Sequence, residues 1–374
     1  MNDVRARAER FAGSPVQLRD LALEFEETMA TTVDVHVGGS NFFPPILTDI
    51  AAATSSIHIN QYGFRPGEIG EQFARALLAK AAEGVAVRVV VDRVGSRPGR
   101  SDGFYERLRA GGVEVRVMRT PGRIDHRKVF VVDGRVGWVG GAGIEDHFAD
   151  GRFHDLFVRL TGPVVAQLQL VFLASFRWLG GAVPPAQLDA LFPQLEPGTI
   201  PAGVLHNAPG SYRPISTAIA ELFDGARDTL DVVNPYVADK GMLRRIEGAA
   251  RRGVRVRLFV PARPNNKACA AAQRFHHPEL LDAGVRILGH PAMLHAKAFV
   301  RDGEEVLAGT CNLEAWSLKR FFEIDVRVRS HDFAARFDER FSAPAEAVSS
   351  PGSAPAGIGP RLKARAFAAI SPLL

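Results

Sequence analysis

The pattern His-x-Lys-x-x-x-x-Asp occurs twice in this 374-residue chain, and it consists of residue types that can act on a phosphate. Its six defining residues are His126, Lys128, Asp133, His295, Lys297 and Asp302. An imidazole can attack an electrophile or transfer a proton, and an ammonium group is a compact charge whose donors can follow a phosphoryl group. Residues two apart on a strand project from the same face, so each histidine and its lysine can reach one phosphate together.

The placement of the lysines supports a phosphate site. Lysine accounts for seven of the 46 basic residues, yet two of the seven occupy the same place in both patterns. A strand with merely solvated side chains would explain one copy, but two copies in register argue against it. A zinc site is rejected because protonated lysine is not a metal ligand and neither histidine has a cysteine or carboxylate cluster at ligand spacing. We predict no metal and no cofactor.

The two aspartates complete the pattern, and we therefore count Asp133 and Asp302 among the candidate catalytic residues. Each is followed by glycine and separates two apolar runs. Asp-Gly between apolar runs is a strong signal for a hairpin turn. Turn formation is consequently the role that we expect for both.

An acid follows each histidine at nearly the same distance and precedes an apolar run. These acids are Asp155 in FHDLFVRL and Glu323 in FFEIDVRV. A carboxylate that accepts the proton of one ring nitrogen fixes which nitrogen is presented to substrate. We predict that Asp155 and Glu323 orient the histidines; the alternative is that they are surface carboxylates.

These features belong to an internal repeat. The two histidines are 169 positions apart, as are the glycines of EGVAVRVVVDR and RRGVRVRLFVPAR. The first glycine of WVGGAGI and the glycine of LAGTCNL are separated by the same 169 positions. In each copy an apolar run precedes a helical stretch, a glycine and an alternating Val/Arg strand, which is the order of a βαβ unit. The sequence therefore predicts an α/β protein with two similar α/β sandwich lobes.

The predicted boundaries are a helical extension (1–32), a first lobe (33–183), a Pro-rich linker (184–204), a second lobe (205–342) and a flexible tail (343–374). The apolar segment 164–183 has about the length of a membrane span. Two glutamines and an arginine interrupt it. We predict that it is a buried helix packed across the junction of the lobes.

The net charge of +5 suits an anionic partner such as phosphate, anionic lipid or nucleic acid. The first residues lack the apolar core of a secretory signal. The two cysteines, Cys269 and Cys311, have no neighbour at metal-ligand or redox spacing. A cytoplasmic protein is predicted.

The repeated pattern resembles the signature of the phospholipase D superfamily, and the chain is most similar to bacterial cardiolipin synthases. The resemblance rests on DHRKVFVVDGRVGWVGGAGIED, on HDLFVRLTGPVV and on LHAKAFVRDGEEVLAGTCNLEAWSLKRFFE, and extends over residues 33–341. It implies two phospholipase D-like lobes related by pseudo-two-fold symmetry, with the active site at their interface and no metal.

The resemblance further implies that one histidine attacks phosphorus while the other protonates the departing alcohol and then activates the acceptor. We assign His126 as the nucleophile. Lys128, Lys297 and Asn312 would hold the phosphoryl oxygens. The first repeat departs from the family pattern Gly-Gly-x-Asn, because it has Gly143 in place of asparagine; backbone amides of Gly141 and Gly143 could bind phosphate instead.

The implied substrate is an anionic phospholipid, phosphatidylglycerol, with either a second alcohol or water as acceptor. The N-terminal membrane-spanning helices of many cardiolipin synthases are not seen, so we expect a monomer that lies peripherally on the inner membrane. The candidate docking groups are Phe42-Phe43, Arg97 to Arg100 and Phe321-Phe322. The alternatives are a nuclease acting with the same site and a phospholipid-binding protein with weakened catalysis.

Overall fold

The computed structural model describes residues 2–97, 103–120, 122–210 and 213–352. An N-terminal segment contains α1 (Asn2–Gly13), a 3-10 helix (Leu18–Leu21) and β1 (Thr28–Ala30). The first lobe consists of β2 (Thr32–Val37), α2 (Gly39–Ala51), β3 (Ser56–Gln61), α3 (Glu68–Ala82), β4 (Ala86–Asp92), α4 (Arg93–Ser96), α5 (Phe104–Ala110), β5 (Glu114–Met118), β6 (Lys128–Val132), β7 (Val136–Gly140), α6 (Asp146–Ala149), β8 (Phe153–His154), β9 (Leu156–Thr161) and α7 (Val165–Trp178).

A connection with a 3-10 helix (Pro185–Gln187) and α8 (Leu188–Leu191) leads to the second lobe. This lobe consists of β10 (Ile200–Asn207), α9 (Pro214–Gly225), β11 (Thr229–Val233), α10 (Lys240–Arg251), β12 (Arg255–Pro261), α11 (Lys267–Phe275), α12 (His277–Asp282), β13 (Arg286–His290), β14 (Met293–Leu294), β15 (Ala298–Arg301), β16 (Glu305–Gly309), α13 (Ala315–Lys319), β17 (Glu323–Arg329), α14 (His331–Phe337), a π-helical segment (Asp338–Ser342), α15 (Ala343–Val348) and β18 (Ser350–Pro351).

Each lobe is built on a mixed sheet with the same central strand order. Within the described residues, the first sheet runs β2-β9-β7-β6-β3-β4-β5 and the second runs β1-β10-β17-β16-β15-β11-β12-β13-β18. Without β1 and β18, the second sheet repeats the order of the first. The pairs β3-β4, β4-β5, β11-β12 and β12-β13 are parallel, as βαβ units require. The predicted α/β fold with two similar lobes is confirmed.

The inward faces of the two sheets share one hydrophobic core between the lobes. Val131 of β6 and Val300 of β15 both belong to it, together with the apolar face of α7. The outer face of each sheet packs on its own helices and forms a separate core. Strands covered on both faces explain why the central strands are continuous apolar runs.

Helix α7 lies at this junction with its polar side chains satisfied. Gln167 donates to the carbonyl of Glu26 (2.8 Å) and accepts from the N–H of Val204 in the second lobe (2.8 Å). Arg177 donates to the carbonyl of Phe11 (2.7 Å). These contacts account for the polar interruptions of the segment and fit the predicted buried helix. Among the described residues, no helix has both the length and the apolar character that crossing a bilayer demands.

Segments near both limits of the described residues join the second sheet, in regions where the sequence predicted an extension, a linker and a tail. Strand β1, from the predicted helical extension, pairs with β10, which itself begins inside the predicted linker. Residues 343–351, the start of the predicted flexible tail, form α15 and β18, because Glu346 pairs with Arg257 and Arg286 (both 2.6 Å). The remainder of that tail, 353–374, lies outside the described residues.

Candidate active site

The segments that carry the two histidines pair with the opposite lobe. His126 donates its backbone N–H to Phe322 (3.0 Å), and Phe322 donates to Ile124 (2.9 Å). In the other half, β14 pairs in parallel with β8, and His295 donates its N–H to the carbonyl of His154 (2.8 Å). Each histidine is thereby held beside the segment of the other lobe that carries an acid.

The imidazole–carboxylate pairs cross between the lobes as a result. The Nδ1 atom of His126 lies 3.0 and 3.1 Å from the carboxylate oxygens of Glu323, and Nδ1 of His295 lies 2.7 Å from Asp155. Both acids are fully buried. The two predicted acids do contact the histidines, but each contacts the histidine of the other repeat. With the Nδ1 proton donated to the acid, Nε2 is the nitrogen left for chemistry.

The two lysines reach the same cleft from the ends of β6 and β15. The Nζ atom of Lys128 donates to the carbonyl of His126 (2.6 Å) and lies 5.1 Å from the ring centroid of Tyr62. Lys297 also donates to the carbonyl of its own histidine, and its Nζ lies 2.8 and 3.1 Å from Nδ1 and Nε2 of His295. Both lysines are almost fully buried.

Burial shifts all four groups toward their neutral forms. It lowers the pKa of Lys128 to about 8 and that of Lys297 to about 7. Burial and then the charge of Lys297 lower the pKa of His295 to about 3, while burial and the charges of both lysines lower the pKa of His126 well below its usual range. Each histidine is influenced by the lysine of the opposite lobe, so the four groups share one cleft.

The acid of the second lobe is held by hydroxyl groups. Thr310 and Ser317 each donate a side-chain hydrogen bond to Glu323. Burial raises the pKa of Glu323 to about 7 in spite of these donors and of the charge of Lys128. Glu323 therefore binds a proton more readily than Asp155 does.

The acid of the first lobe has different support. Asp155 accepts the backbone N–H of Leu156 (2.8 Å). Burial alone would raise its pKa, but the hydrogen bond with His295 and the charge of Lys297 outweigh burial, and the pKa of Asp155 is lowered. Asp155 is thus an anion at pH 7.

Gly141 does not take the phosphate-binding role that the sequence predicted. Its N–H donates to the carbonyl of Leu156 (3.2 Å) and is already used. A Cβ at Gly141 would lie 2.4 Å from a carboxylate oxygen of Asp155, so glycine is required to make room for the acid. At Gly143 a Cβ would lie 2.8 Å from Glu145 and 2.9 Å from the Gly63 carbonyl, so the asparagine of the family pattern would not fit.

Asn312 lies in the second lobe, in the loop that follows β16. Its backbone N–H donates to Ser317 (2.8 Å), and the residue is 5% exposed. Its side-chain oxygen has no hydrogen-bond partner within the described residues. Its assignment to phosphate binding stays a prediction.

Asp133 and Asp302 are turn residues, not members of the catalytic cleft. Each lies at the end of its strand opposite to the histidine, roughly 20 Å along the chain at strand spacing. The φ angles of Asp133 and Asp302 are 53° and 52°, and both following glycines also have positive φ, as a type I′ turn requires. The Asp133 carboxylate accepts the N–H groups of residues 54–56, and the Asp302 carboxylate those of residues 227–229.

A buried ion pair behind His126 was missed by the sequence reasoning. Arg127 binds Asp125 through two nitrogens (2.8 and 2.6 Å), stacks 5.1 Å over the ring of Phe322 and donates to Nε2 of His206 (3.1 Å). Aspartate and arginine directly flanking a histidine could have suggested this pair. The arginine ties the first half-site to the strands of the second lobe.

Most of the predicted docking aromatics are in the core. Phe42 and Phe43 are 0% and 2% exposed and pack in the outer core of the first lobe, and Phe322 is 1% exposed. Phe321 is partly exposed. Of the predicted basic loop, Arg97 is exposed, and residues 98–100 lie outside the described residues.

Comparisons with known proteins agree with the family resemblance seen in the sequence. A family model described as "Cardiolipin synthase, PLD-like domain" matches residues 46–173 and 219–344. A cardiolipin synthase of Geobacillus kaustophilus (strain HTA426) is 34% identical over 320 residues, which are 80% of this chain and 63% of that protein. Cardiolipin synthase A of Pseudomonas syringae pv. syringae (strain B728a) is 30% identical over 329 residues, 83% of this chain and 68% of that protein.

The fold itself has a full-length counterpart among solved structures. The phosphatidylserine synthase of Haemophilus influenzae Rd KW20 superposes with a TM-score of 0.74 at 14% identity, covering 99% of this chain and 100% of that one. This likeness concerns the two-lobed architecture. The alignment with the Geobacillus kaustophilus relative spans less than two thirds of the relative's length.

Proposed function

The chain belongs to the family of cardiolipin synthase phospholipase D-like domains, and we propose that it transfers a phosphatidyl group from phosphatidylglycerol to an alcohol through a phosphohistidine. The observation that carries the proposal is the crossed arrangement of two imidazoles with two buried carboxylates, Glu323 and Asp155. A histidine oriented through Nδ1 by an acid presents Nε2 as a nucleophile or proton carrier.

In the first step Nε2 of His126 attacks phosphorus, a nitrogen–phosphorus bond forms, and the bond from phosphorus to the glycerol oxygen breaks. His295 enters this step as an imidazolium, gives its Nε2 proton to that oxygen and becomes neutral, and glycerol leaves. In the second step a hydroxyl of the acceptor gives its proton to His295 and attacks phosphorus, which releases His126. Lys128, Lys297 and Asn312 hold the phosphoryl oxygens through both steps.

The assignment of His126 as nucleophile rests on the lysine contacts and on the acids. Lys297 lies 3.1 Å from Nε2 of His295 and competes for the lone pair of that nitrogen, whereas Lys128 donates to the backbone carbonyl of His126. Asp155 is ionised, and its hydrogen bond and charge favour the imidazolium form that a general acid requires, against burial and the charge of Lys297, which lower the pKa of His295. The hydrogen-bonding nitrogen of Lys128 reaches the His126 carbonyl and not its ring, so the Nε2 lone pair of His126 stays available for attack when Nδ1–H is donated to the Glu323 carboxylate.

An exposed apolar residue flanks the cleft on the first lobe. Val94 in α4 is 55% exposed and has exposed basic neighbours, Arg93 and Arg97. Helix α4 packs against the backbone of Tyr62, whose ring lies 5.0 Å from that of His126. Such a mixture of apolar and basic side chains suits the surface of an anionic membrane.

The second lobe also contributes aromatic and basic side chains near His126. The ring of Phe321 lies 6.1 Å from the His126 ring and 6.0 Å from the ring of Trp316. The guanidinium of Arg320 lies 4.8 Å over Trp316. Aromatic rings beside arginine at the mouth of the cleft favour a lipid substrate delivered from a bilayer.

The direct test is incubation of the purified protein with phosphatidylglycerol vesicles, followed by mass spectrometry of the products. We expect cardiolipin and free glycerol, and neither product from His126→Ala or His295→Ala protein. Phosphatidic acid without cardiolipin would identify water as the acceptor. Cleavage of single- or double-stranded DNA with no lipid product would instead identify a nuclease.

A further inference from the structure

The first half-site contains a buried side-chain amide without a partner. Gln61, the last residue of β3, is 0% exposed, and neither its Nε2 nor its Oε1 has a hydrogen-bond partner among the described residues. An unpaired buried amide is costly and uncommon in a folded protein. A ligand that enters the cleft can supply the missing partner.

The position of Gln61 places this amide beside the catalytic groups. In the β3–β6 ladder Gln61 is paired directly with Lys128. Side chains of directly paired residues share one face of the sheet, with Cβ atoms about 5 Å apart. The next residue, Tyr62, packs against the ring of His126.

The equivalent residue of the second lobe has a different use. Asn234 follows β11, which pairs with β15 so that Val233 lies opposite Ala298. Its Nδ2 donates to the Cys311 carbonyl (3.1 Å), and its Oδ1 accepts the N–H of Leu313 (3.2 Å). The amide at the strand end thus shapes the loop that presents Asn312.

In the first lobe the amide side chain is at the strand end and absent from the loop. Its loop has Gly143 where the second lobe has Asn312, and the carbonyl of Gly63 and the carboxylate of Glu145 leave no space for a side chain there. The amide that the loop lacks is present, unpaired, at the end of the strand. We propose that Gln61 donates its Nε2 hydrogen bond to a phosphoryl oxygen of the substrate, and so replaces the asparagine of the family pattern in the first half-site.

The identity of the substrate in this proposal rests on the proposed function. The test uses a different ligand and does not depend on that function. The probe is orthophosphate, whose affinity is measured by the rise in unfolding temperature with phosphate concentration. Gln61→Met keeps the length of the side chain and removes the amide. We expect phosphate affinity to fall about tenfold or more, while the unfolding temperature without phosphate stays the same or rises because an unpaired buried amide has been removed.

Asn60 provides the matched control. Its amide is also buried and without a partner in the described residues, but it is paired with Val129 and lies on the opposite face of β3. Asn60→Leu should bind phosphate like the wild type. Gln61→Glu, in which a carboxylate repels phosphate, is the second variant should the methionine variant fail to fold.

Catalysis gives an independent readout through the activated diester bis(4-nitrophenyl) phosphate. Loss of one donor to a developing oxyanion lowers kcat by roughly 10². If Gln61→Met binds phosphate like the wild type, or if the wild type does not bind phosphate, the role of Gln61 is refuted. If phosphate binding depends on Gln61 but no diester is turned over, the proposed function fails and the phosphate site stands.

Discussion

The two half-sites of the cleft descend from the same sequence pattern but differ in what surrounds each histidine. His126 is paired with Glu323, whose carboxylate is supported by hydroxyl groups and whose pKa burial raises to about 7. His295 is paired with Asp155, which has a lowered pKa and lies against Gly141. A repeat can therefore preserve histidine and lysine while the neighbouring residues adapt the two imidazoles to different steps.

The loops that follow β7 and β16 also differ in the contacts that hold them in place. In the second lobe Asp325 accepts the N–H groups of Thr310 (2.8 Å) and Cys311 (3.2 Å) and anchors the loop through these hydrogen bonds. In the first lobe a phenylalanine, Phe157, packs against Gly140 at the corresponding place. One loop is positioned by polar contacts and the other by apolar packing, so removing a polar group should affect the halves unequally.

The largest expected effect separates the two histidines. His126→Asn and His295→Asn should each reduce steady-state turnover by more than the roughly 10²- to 10⁴-fold contributed by a general acid–base group, because both steps need both rings. With bis(4-nitrophenyl) phosphate, whose leaving group needs no acid, His295→Asn should still release about one nitrophenol per protein in a rapid burst. A burst from His126→Asn instead would reverse the roles that we assign.

The acids should show the next largest difference. Asp155→Asn removes an anion and should lower kcat by roughly 10³ to 10⁴, comparable with an aspartate that orients a catalytic histidine. Glu323→Gln removes a carboxyl whose pKa burial has already raised, and should cost roughly 10 to 10². Steady-state kinetics at pH 7 measures both, and equal losses would contradict the difference in their ionisation. Circular dichroism of each variant controls for folding.

The lysines should determine the alkaline limb of the pH profile. Lysine is charged below its pKa, so with a pKa of about 7 Lys297 loses its ammonium as the pH rises, and activity should fall about fivefold between pH 7 and pH 8. In Lys297→Arg the guanidinium stays charged, and the limb should move up to about pH 8, where Lys128 titrates. An unchanged limb would show that another group controls it. The measurement is kcat/KM from pH 5 to pH 9.

The smallest effects concern the turn aspartates, which should alter stability and leave turnover per folded molecule unchanged. Asp133 accepts two hydroxyl groups in addition to three N–H groups, whereas Asp302 accepts N–H groups. Removal of such a capping carboxylate costs about 0.5 to 2 kcal/mol. We expect Asp133→Ala at the upper end and Asp302→Ala at the lower end in urea unfolding. Loss of activity with unchanged stability would restore a catalytic role to either residue.

The chemistry of the site was predictable from the sequence because it recurs at a fixed offset. The histidines, the lysines and the two acids stand at matching places in both repeats. Such repeated placement can be recognised from the sequence alone. The crossing of the acid pairs was not predictable. Asp155 and Glu323 follow their histidines at similar distances, so spacing alone does not say which imidazole each acid faces.

The other predictions that differ from the structure concern residues whose surroundings are set by tertiary packing. The occupied N–H of Gly141 depends on where the Leu156 carbonyl lies, and the burial of Phe42 depends on which face of α2 meets the sheet. Composition predicted a flexible tail from residue 343. Glu346 nevertheless finds two arginines on the second sheet, which composition does not record.

Each lobe supplies the acid that contacts the histidine of the other lobe, so neither lobe can form a complete histidine–acid pair by itself. If the chain were cut in the connection between α7 and β10, the first fragment would keep His126 and Asp155 and the second would keep His295 and Glu323. Neither fragment would contain a matched pair, and activity could return only when the two were mixed. For the same reason the copies cannot diverge separately, since a change of acid in one must be tolerated by the histidine of the other.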